Sequence, residues 1–411
     1  MPFLPKSKIV DNVWNFSFLA FPYALVYSIQ LSNGIMFFLL GVTLLNRLIL
    51  KKETSFLFAD FNFLSILFYL SFICVSYSSY KERGFSLLET RLPLIVFPII
   101  VGFSSHDISL RKEFLKHFLF SLVLTFFVTI CIAIYRNING PGPETWFNKW
   151  YYHYSDLTEP INIDPLYLSL FVGFGILVIL VEQLGLTNLR IINRRSTAFI
   201  FLALLSLFLV ILGVRSILFF VVLIISLLFI AKPKFFGMKN LSLVFLVVSG
   251  IVILSFGSPV TRQRFQGLFN GRFEFSEYSI DRLIIWDLAL SNVKNNFQEY
   301  IIGGGTATSV KTMEKLYLEK KINWNFEQKT NTHNQYIEFL LDTGLIGLMI
   351  LFCFLFRSAQ IFLMEKDYLG FVFLLVMILA FFAENYLNRQ KGVAFFSVFH
   401  ALFYFTRNNK R

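Results

Sequence analysis

The chain has 411 residues, 56% of them hydrophobic and only 15% charged, with 53 phenylalanines and a net charge of +12. A water-soluble fold of this length has too little interior to hide so much apolar side chain, so lipid is the expected solvent for most of it. Membrane topology explains the positive charge better than nucleic acid does, and no nucleic-acid partner is expected.

Apolar runs of about twenty residues, the length that crosses a bilayer core, recur along the chain. The first, Asn15 to Gln30 behind Lys6 and Lys8, resembles a secretory signal. No small-residue cleavage site follows it and further spans do, so it reads as a membrane helix. About twelve spans are predicted, near 14–30, 34–50, 60–78, 92–104, 117–135, 164–184, 197–212, 216–231, 240–256, 334–356, 368–383 and 392–406. The expected fold class is an all-α polytopic membrane protein of about 12 transmembrane helices with one long, partly helical outer loop. Three parts follow: a bundle over 1–256 with the first nine spans, a loop over 257–332, and the last three spans with a tail over 333–411. With the N-terminus inside, the inner segments hold 19 Lys and Arg residues and the short outer connections hold 8. This bias puts both termini in the cytoplasm, the long loop being a poor witness to orientation.

Two outer segments stand apart. Residues 137–163 carry Pro141, Pro143, Trp146, Trp150, Tyr151, Tyr152 and Tyr154, a density of aromatic rings that suits headgroup depth. The loop over 257–332 is the one soluble-looking stretch. Within it, Ile280 to Asn295 has helical apolar spacing, and Gly303-Gly304-Gly305 then reads as a turn. Cys74, Cys131 and Cys353 lie inside apolar runs and imply neither a disulfide framework nor a zinc site.

Several chemistries have no motif here. There is no Asp-x-Asp pair, HExxH or P-loop, and the triple glycine lacks the GxGxxG spacing, so no metal and no nucleotide cofactor is expected. What stands out is arginine at outer helix ends. Arg215 sits in a tight reversal, Gly213-Val214-Arg215-Ser216, Arg282 opens the loop helix, and Arg91 marks a third helix start. A guanidinium at such a place must snorkel, pair or meet an anionic ligand, and its fork suits phosphate oxygens. At the mouth of the tenth span stands Thr332-His333-Asn334-Gln335-Tyr336. His333 is expected one helical turn above Tyr336 on the same face, with Asn334 orienting the imidazole. Histidine can take a proton from a sugar hydroxyl near neutral pH. His106, His117, His153 and His400 read as structural or surface residues.

Taken in order, these residues resemble the O-antigen ligase and polymerase superfamily of bacterial envelope glycosyltransferases. The resemblance rests on Val214-Arg215-Ser216, then Arg282 to Trp286 with Gly303-Gly304-Gly305, then His333-Asn334-Gln335-Tyr336 with Gly344-Leu345-Ile346-Gly347, and covers roughly residues 200 to 356. Ala383 to Gln390 is a fainter match to the family's last outer turn. At the sixth span, Ile163-Asp164-Pro165 stands where relatives often place a histidine before the proline. The resemblance implies a lipid-linked donor, a glycan on undecaprenyl diphosphate, transferred with inversion to an acceptor hydroxyl at the periplasmic face of the inner membrane. It implies His333 as the catalytic residue, Arg215 and Arg282 as diphosphate ligands, and Asn334, Tyr336, Arg91 and Arg389 as supporting or acceptor-site residues. The favoured acceptor is lipid A core, which makes a ligase. A second lipid-linked glycan would make a polymerase. A transporter of lipid-linked sugars is the alternative from another class, and would place broken helices and charges at mid-membrane depth.

Overall fold

The computed structural model describes residues 6–48, 58–104, 108–139, 149–231, 282–294, 297–319 and 331–407. Among them every regular element is helical. The bundle begins with α1 (Lys6–Tyr27), α2 (Ile29–Leu48), α3 (Phe58–Ser76), α4 (Lys81–Arg91), α5 (Pro93–Gly102) and α6 (Ile108–Asn139). It continues through the short α7 (Tyr154–Thr158) to α8 (Pro165–Gln183), α9 (Arg195–Leu212) and α10 (Arg215–Ala231). The long loop supplies α11 (Arg282–Lys294), α12 (Phe297–Ile302) and α13 (Thr308–Glu319). The chain then returns through α14 (Gln335–Met364), α15 (Tyr368–Ala383) and α16 (Gln390–Phe405).

Eight of the described stretches are long and apolar enough to cross a membrane, and Arg215–Ile230 and Tyr368–Ala383 are shorter apolar helices. The expectation of twelve is therefore met only in part. The predicted span over 240–256 lies outside the described residues, and the one over 392–406 is the 16-residue α16. The one near 92–104 joins α4 to form a single candidate, Lys81–Gly102. Its start was hidden because α4 is polar on average, KERGFSLLETR, while α5 is almost wholly apolar.

Many of the phenylalanines pack at the centre, while others face outward. α8 and α16 are buried along nearly their whole length. Around Phe174 gather Phe118, Phe373, Phe395, Phe399 and Phe403, with ring centroids 5.2 to 6.2 Å from it. Helices in lipid gain little from burying apolar area against each other, so close ring packing of this kind supplies much of their association. One end of the bundle is tied by Arg111, which grips Asp367 with both nitrogens, one at 2.6 Å, and lies over the Phe403 ring. The other end carries the starts of α8, α10 and α14 and the loop helices.

The loop is fastened there by backbone contact. α14 breaks at Gly344 (φ +66°, ψ −171°), which frees carbonyls that an unbroken helix would use internally. Gly304 N–H donates to Leu341 O and Gly305 N–H to Asp342 O, both at 2.9 Å. The two backbones approach so closely that a Cβ on Gly344 would stand 2.3 Å from Ile301 O, and one on Gly303 2.4 Å from Asp342 O. The triple glycine is thus a turn that seats the loop on α14. From its other side, Ser78 Oγ donates to Thr306 O at 2.8 Å and Tyr77 OH to Ile302 O at 2.7 Å.

Gly344→Ala should therefore lose about 2 kcal/mol or more of stability, from left-handed strain and backbone clash together. Gly34→Ala, where an added methyl meets nothing within 4 Å, should change it little. Thermal unfolding of the two variants in the same detergent checks the contrast.

Candidate active site

The first turns of α14 bury two carboxylates, and their needs organise everything above them. Asp342 accepts from Ala307 N (2.9 Å) and Ser309 N (2.8 Å), so it caps the start of α13 from another helix. Glu338, 2% exposed, accepts from Ser309 Oγ (2.6 Å), Thr332 Oγ1 (2.9 Å), Asn385 Nδ2 (2.7 Å) and Asn388 Nδ2 (2.9 Å). A buried carboxylate is tolerable only with its lone pairs filled, and here four donors from three segments fill them. Gln335 Oε1 adds a bond from Leu387 N at 2.7 Å. The residues before α14 and the turn after α15 are thereby held side by side.

That juxtaposition places His333 against Glu384. The imidazole Nδ1 lies 2.7 Å from Glu384 Oε2, while Glu384 Oε1 accepts from Asn331 Nδ2 (2.7 Å) and from Asn385 N–H (3.0 Å). Burial pushes the Glu384 carboxyl up, but the His333 hydrogen bond and charge, with the donors from Asn385 and Asn331, outweigh it and hold it below the usual carboxylate range. An ionised carboxylate only accepts hydrogen bonds, so Nδ1 carries the shared hydrogen, and in the neutral form of the ring the free lone pair is on Nε2. The His333 side chain is 28% exposed and Glu384 only 11%. His333 also sits at φ +50°, with its N–H donating to Asn331 Oδ1 at 2.9 Å. Backbone strain of this sort is kept only where surrounding bonds enforce it.

The expected helical relation between His333 and Tyr336 does not hold. Asn334 is the N-cap of α14: its Oδ1 accepts from Tyr336 N (2.9 Å) and Ile337 N (3.2 Å), and His333 precedes the helix in a left-handed conformation. Asn334 thus starts the helix, and Glu384 orients the imidazole. Tyr336 is buried, donates to Ile378 O at 2.9 Å and stacks on Phe352, bracing α14 against α15.

Arg91 lies beneath the pair, 1% exposed. Its Nε donates to Leu387 O (3.1 Å), Nη1 to Ser71 Oγ (2.7 Å) and Nη2 to Asn388 Oδ1 (2.6 Å). All three guanidinium nitrogens are engaged inside the protein, and the charge balances Glu338 and Asp342. Arg282 is half-buried at the start of α11, whose Trp286 indole donates to Thr332 O at 3.0 Å, one residue from His333. Arg389 is exposed just after the turn that bears Glu384. Arg215 is exposed at the start of α10, after the left-handed Gly213 (φ +63°), on a helix that packs against α8 and α15.

Two acids belong to this constellation that motif spacing did not single out. One is Glu384. The other is Asp164, which caps α8 through Leu166 N at 2.8 Å. Asp164 is exposed, yet partial desolvation by its neighbours raises its pKa and the charge of Glu384 adds to this, against the Leu166 N–H and the charges of Arg389 and His333. The signal for Glu384 was an acid directly after a long apolar run, in Ala383-Glu384-Asn385. Among the described residues no three His, Cys, Asp or Glu side chains gather as a metal ion would require.

These features define a helical membrane protein with a histidine–carboxylate pair and several arginines at one end of its bundle. The O-antigen ligase family model (Wzy_C) matches residues 200–352, which contain Arg215, Arg282 and His333. Over that stretch the chain is similar to the O-antigen ligase family, in line with the resemblance seen in the sequence. No curated protein matches the sequence.

A carboxylate held below its ordinary value of 4.5 adds stability at neutral pH that disappears as acid protonates it in the folded state. Glu384→Gln should therefore melt below the wild type at pH 7, and the gap should narrow as pH falls through and below that value. Parallel melting curves across that range test it.

Proposed function

We propose that this protein is an O-antigen ligase-type glycosyltransferase. In this reading it moves glycan from undecaprenyl diphosphate to a hydroxyl of lipid A core at the periplasmic face of the inner membrane, with both termini cytoplasmic. The observation that carries the reading is the 2.7 Å His333–Glu384 pair at the arginine-bearing end of the bundle. His333 Nε2 takes the proton of the acceptor hydroxyl as its oxygen attacks the anomeric carbon. The bond from that carbon to the diphosphate oxygen breaks from the opposite face, so configuration inverts. The electron pair leaves on undecaprenyl diphosphate, where Arg282, Arg215 and Arg389 are the cations placed to receive it. Glu384 fixes the imidazole tautomer and steadies the charged ring. Arg91, Asn334 and Tyr336 act through structure: a buried counter-charge, a helix cap and a brace. The scheme uses neither metal nor cofactor.

The broken helix and buried charges do not favour a transporter. The break at Gly344 is closed by loop backbone, and Arg91, Glu338 and Asp342 are bonded to structural partners.

Transfer of glycan from purified lipid-linked donor to core lipid is the direct assay. His333→Ala should abolish it and Glu384→Gln should lower kcat about 100-fold or more, in the range of general-base catalysis. Arg215→Lys keeps the charge, loses the fork and should lose most activity. EDTA should change nothing. Deleting the gene should leave core without long glycan while lipid-linked polymer accumulates. Core bearing a single repeat unit would instead identify a polymerase, and an unchanged envelope would refute both readings.

A further inference from the structure

At the end of the bundle away from His333, α6 and α9 diverge around a cavity of about 240 Å³. Its walls include Lys116, Phe120, Ile191, Arg194, Thr197 and Phe201. Phe120 and Phe201 meet edge to face at 5.4 Å and form an apolar base, with the two cations at the rim. The connection from α8 to α9 makes one wall and is held by Glu182, whose two carboxylate oxygens accept from Ile192 N–H at 3.0 and 3.2 Å.

The depth of the cations can be placed from helix length. α6 has 32 residues, about 48 Å at 1.5 Å per residue, against a hydrocarbon core of about 30 Å. Its first turns therefore stand beyond the hydrocarbon, and Lys116 falls at its boundary. Arg194 immediately precedes the 18-residue α9 and reaches the same level. Below that level the outward faces of both helices are apolar and exposed: Phe120, Leu124 and Phe127 on α6, Phe199 and Ile200 on α9. Cationic groups sit over a lipid-facing apolar surface, with a cavity between them. Lys112, Arg190 and Arg195 add positive charge nearby, while Glu113 pairs with Lys116 at 3.4 Å across an exposed turn, a contact of little strength.

We infer that this cavity binds the headgroup of an anionic phospholipid, its phosphate between Lys116 and Arg194 and its acyl chains along the α6 and α9 faces. The chemistry is that of basic pockets between membrane helices, where anionic headgroups outcompete zwitterionic ones. The site is separate from the glycan-transfer end and faces the opposite leaflet.

The test is native mass spectrometry of the full chain released from bilayer nanodiscs holding equal amounts of phosphatidylglycerol and phosphatidylcholine with matched acyl chains. The wild type should retain phosphatidylglycerol in preference, and the double substitution Lys116→Ala, Arg194→Ala should reduce its retention about tenfold. Equal retention of the two lipids by the wild type, or an unchanged preference in the double variant, would overturn the site. Millimolar inorganic phosphate should not displace the lipid, and displacement would mean a small-anion site instead. A photoactivatable phosphatidylglycerol gives an independent reading on the unmodified chain: label should fall within residues 116–124 or 191–201, and label confined elsewhere would refute the assignment.

Discussion

Glu338 and Asp342 are carboxylates on a helix that enters a membrane, and nothing about their position would be stable without donors brought from elsewhere. Those donors come from the loop (Ala307, Ser309, Thr332) and from the turn after α15 (Asn385, Asn388). Satisfying two acids thus forces three distant parts of the chain to meet at one point. Arg91 completes the cluster with its charge and with bonds to the same turn. Polar networks of this sort are rigid when complete and fail as a unit when broken. The His333–Glu384 pair inherits that rigidity, since His333 adjoins Thr332 and Glu384 adjoins Asn385.

The site divides its charges by depth. Arg215 and Arg389 are exposed and Arg282 is half-buried, while Arg91 is sealed inside. The proposed donor, a diphosphate on a lipid, would carry its charge near headgroup level. Cations at that height can meet it without the desolvation that a buried guanidinium would have to undergo. The histidine is oriented by an acid that is itself pinned on both oxygens, the arrangement on which the proposed in-line displacement relies.

The helices were legible in sequence because the thickness of hydrocarbon dictates the length of an apolar run, a constraint that each segment obeys alone. α4 escaped because its polar residues, Lys81, Glu82, Arg83 and Glu89, are exposed and only a narrow face of Gly84, Leu87, Leu88 and Arg91 is buried. The motif residues were legible too, yet their relations were not. His333 and Glu384 are 51 positions apart, and no local period encodes their contact. Tyr336 was misread for a specific reason. Helical spacing was extended one residue past an asparagine, although asparagine is among the strongest helix starters. The role of the Gly344 motif became clear only once the triple glycine was seen against it.

The break at Gly344 also separates two mechanical regimes within one 30-residue helix. The nine residues from Gln335 to Thr343 are clamped to the loop and to the turn after α15, whereas the remainder packs against bundle and lipid. A long apolar helix ordinarily adapts to bilayer thickness by tilting. Here the break lets the two segments take different directions, with Tyr336 stacking on Phe352 across it. One continuous element thus supplies both a wall of the candidate site and a span of the bundle.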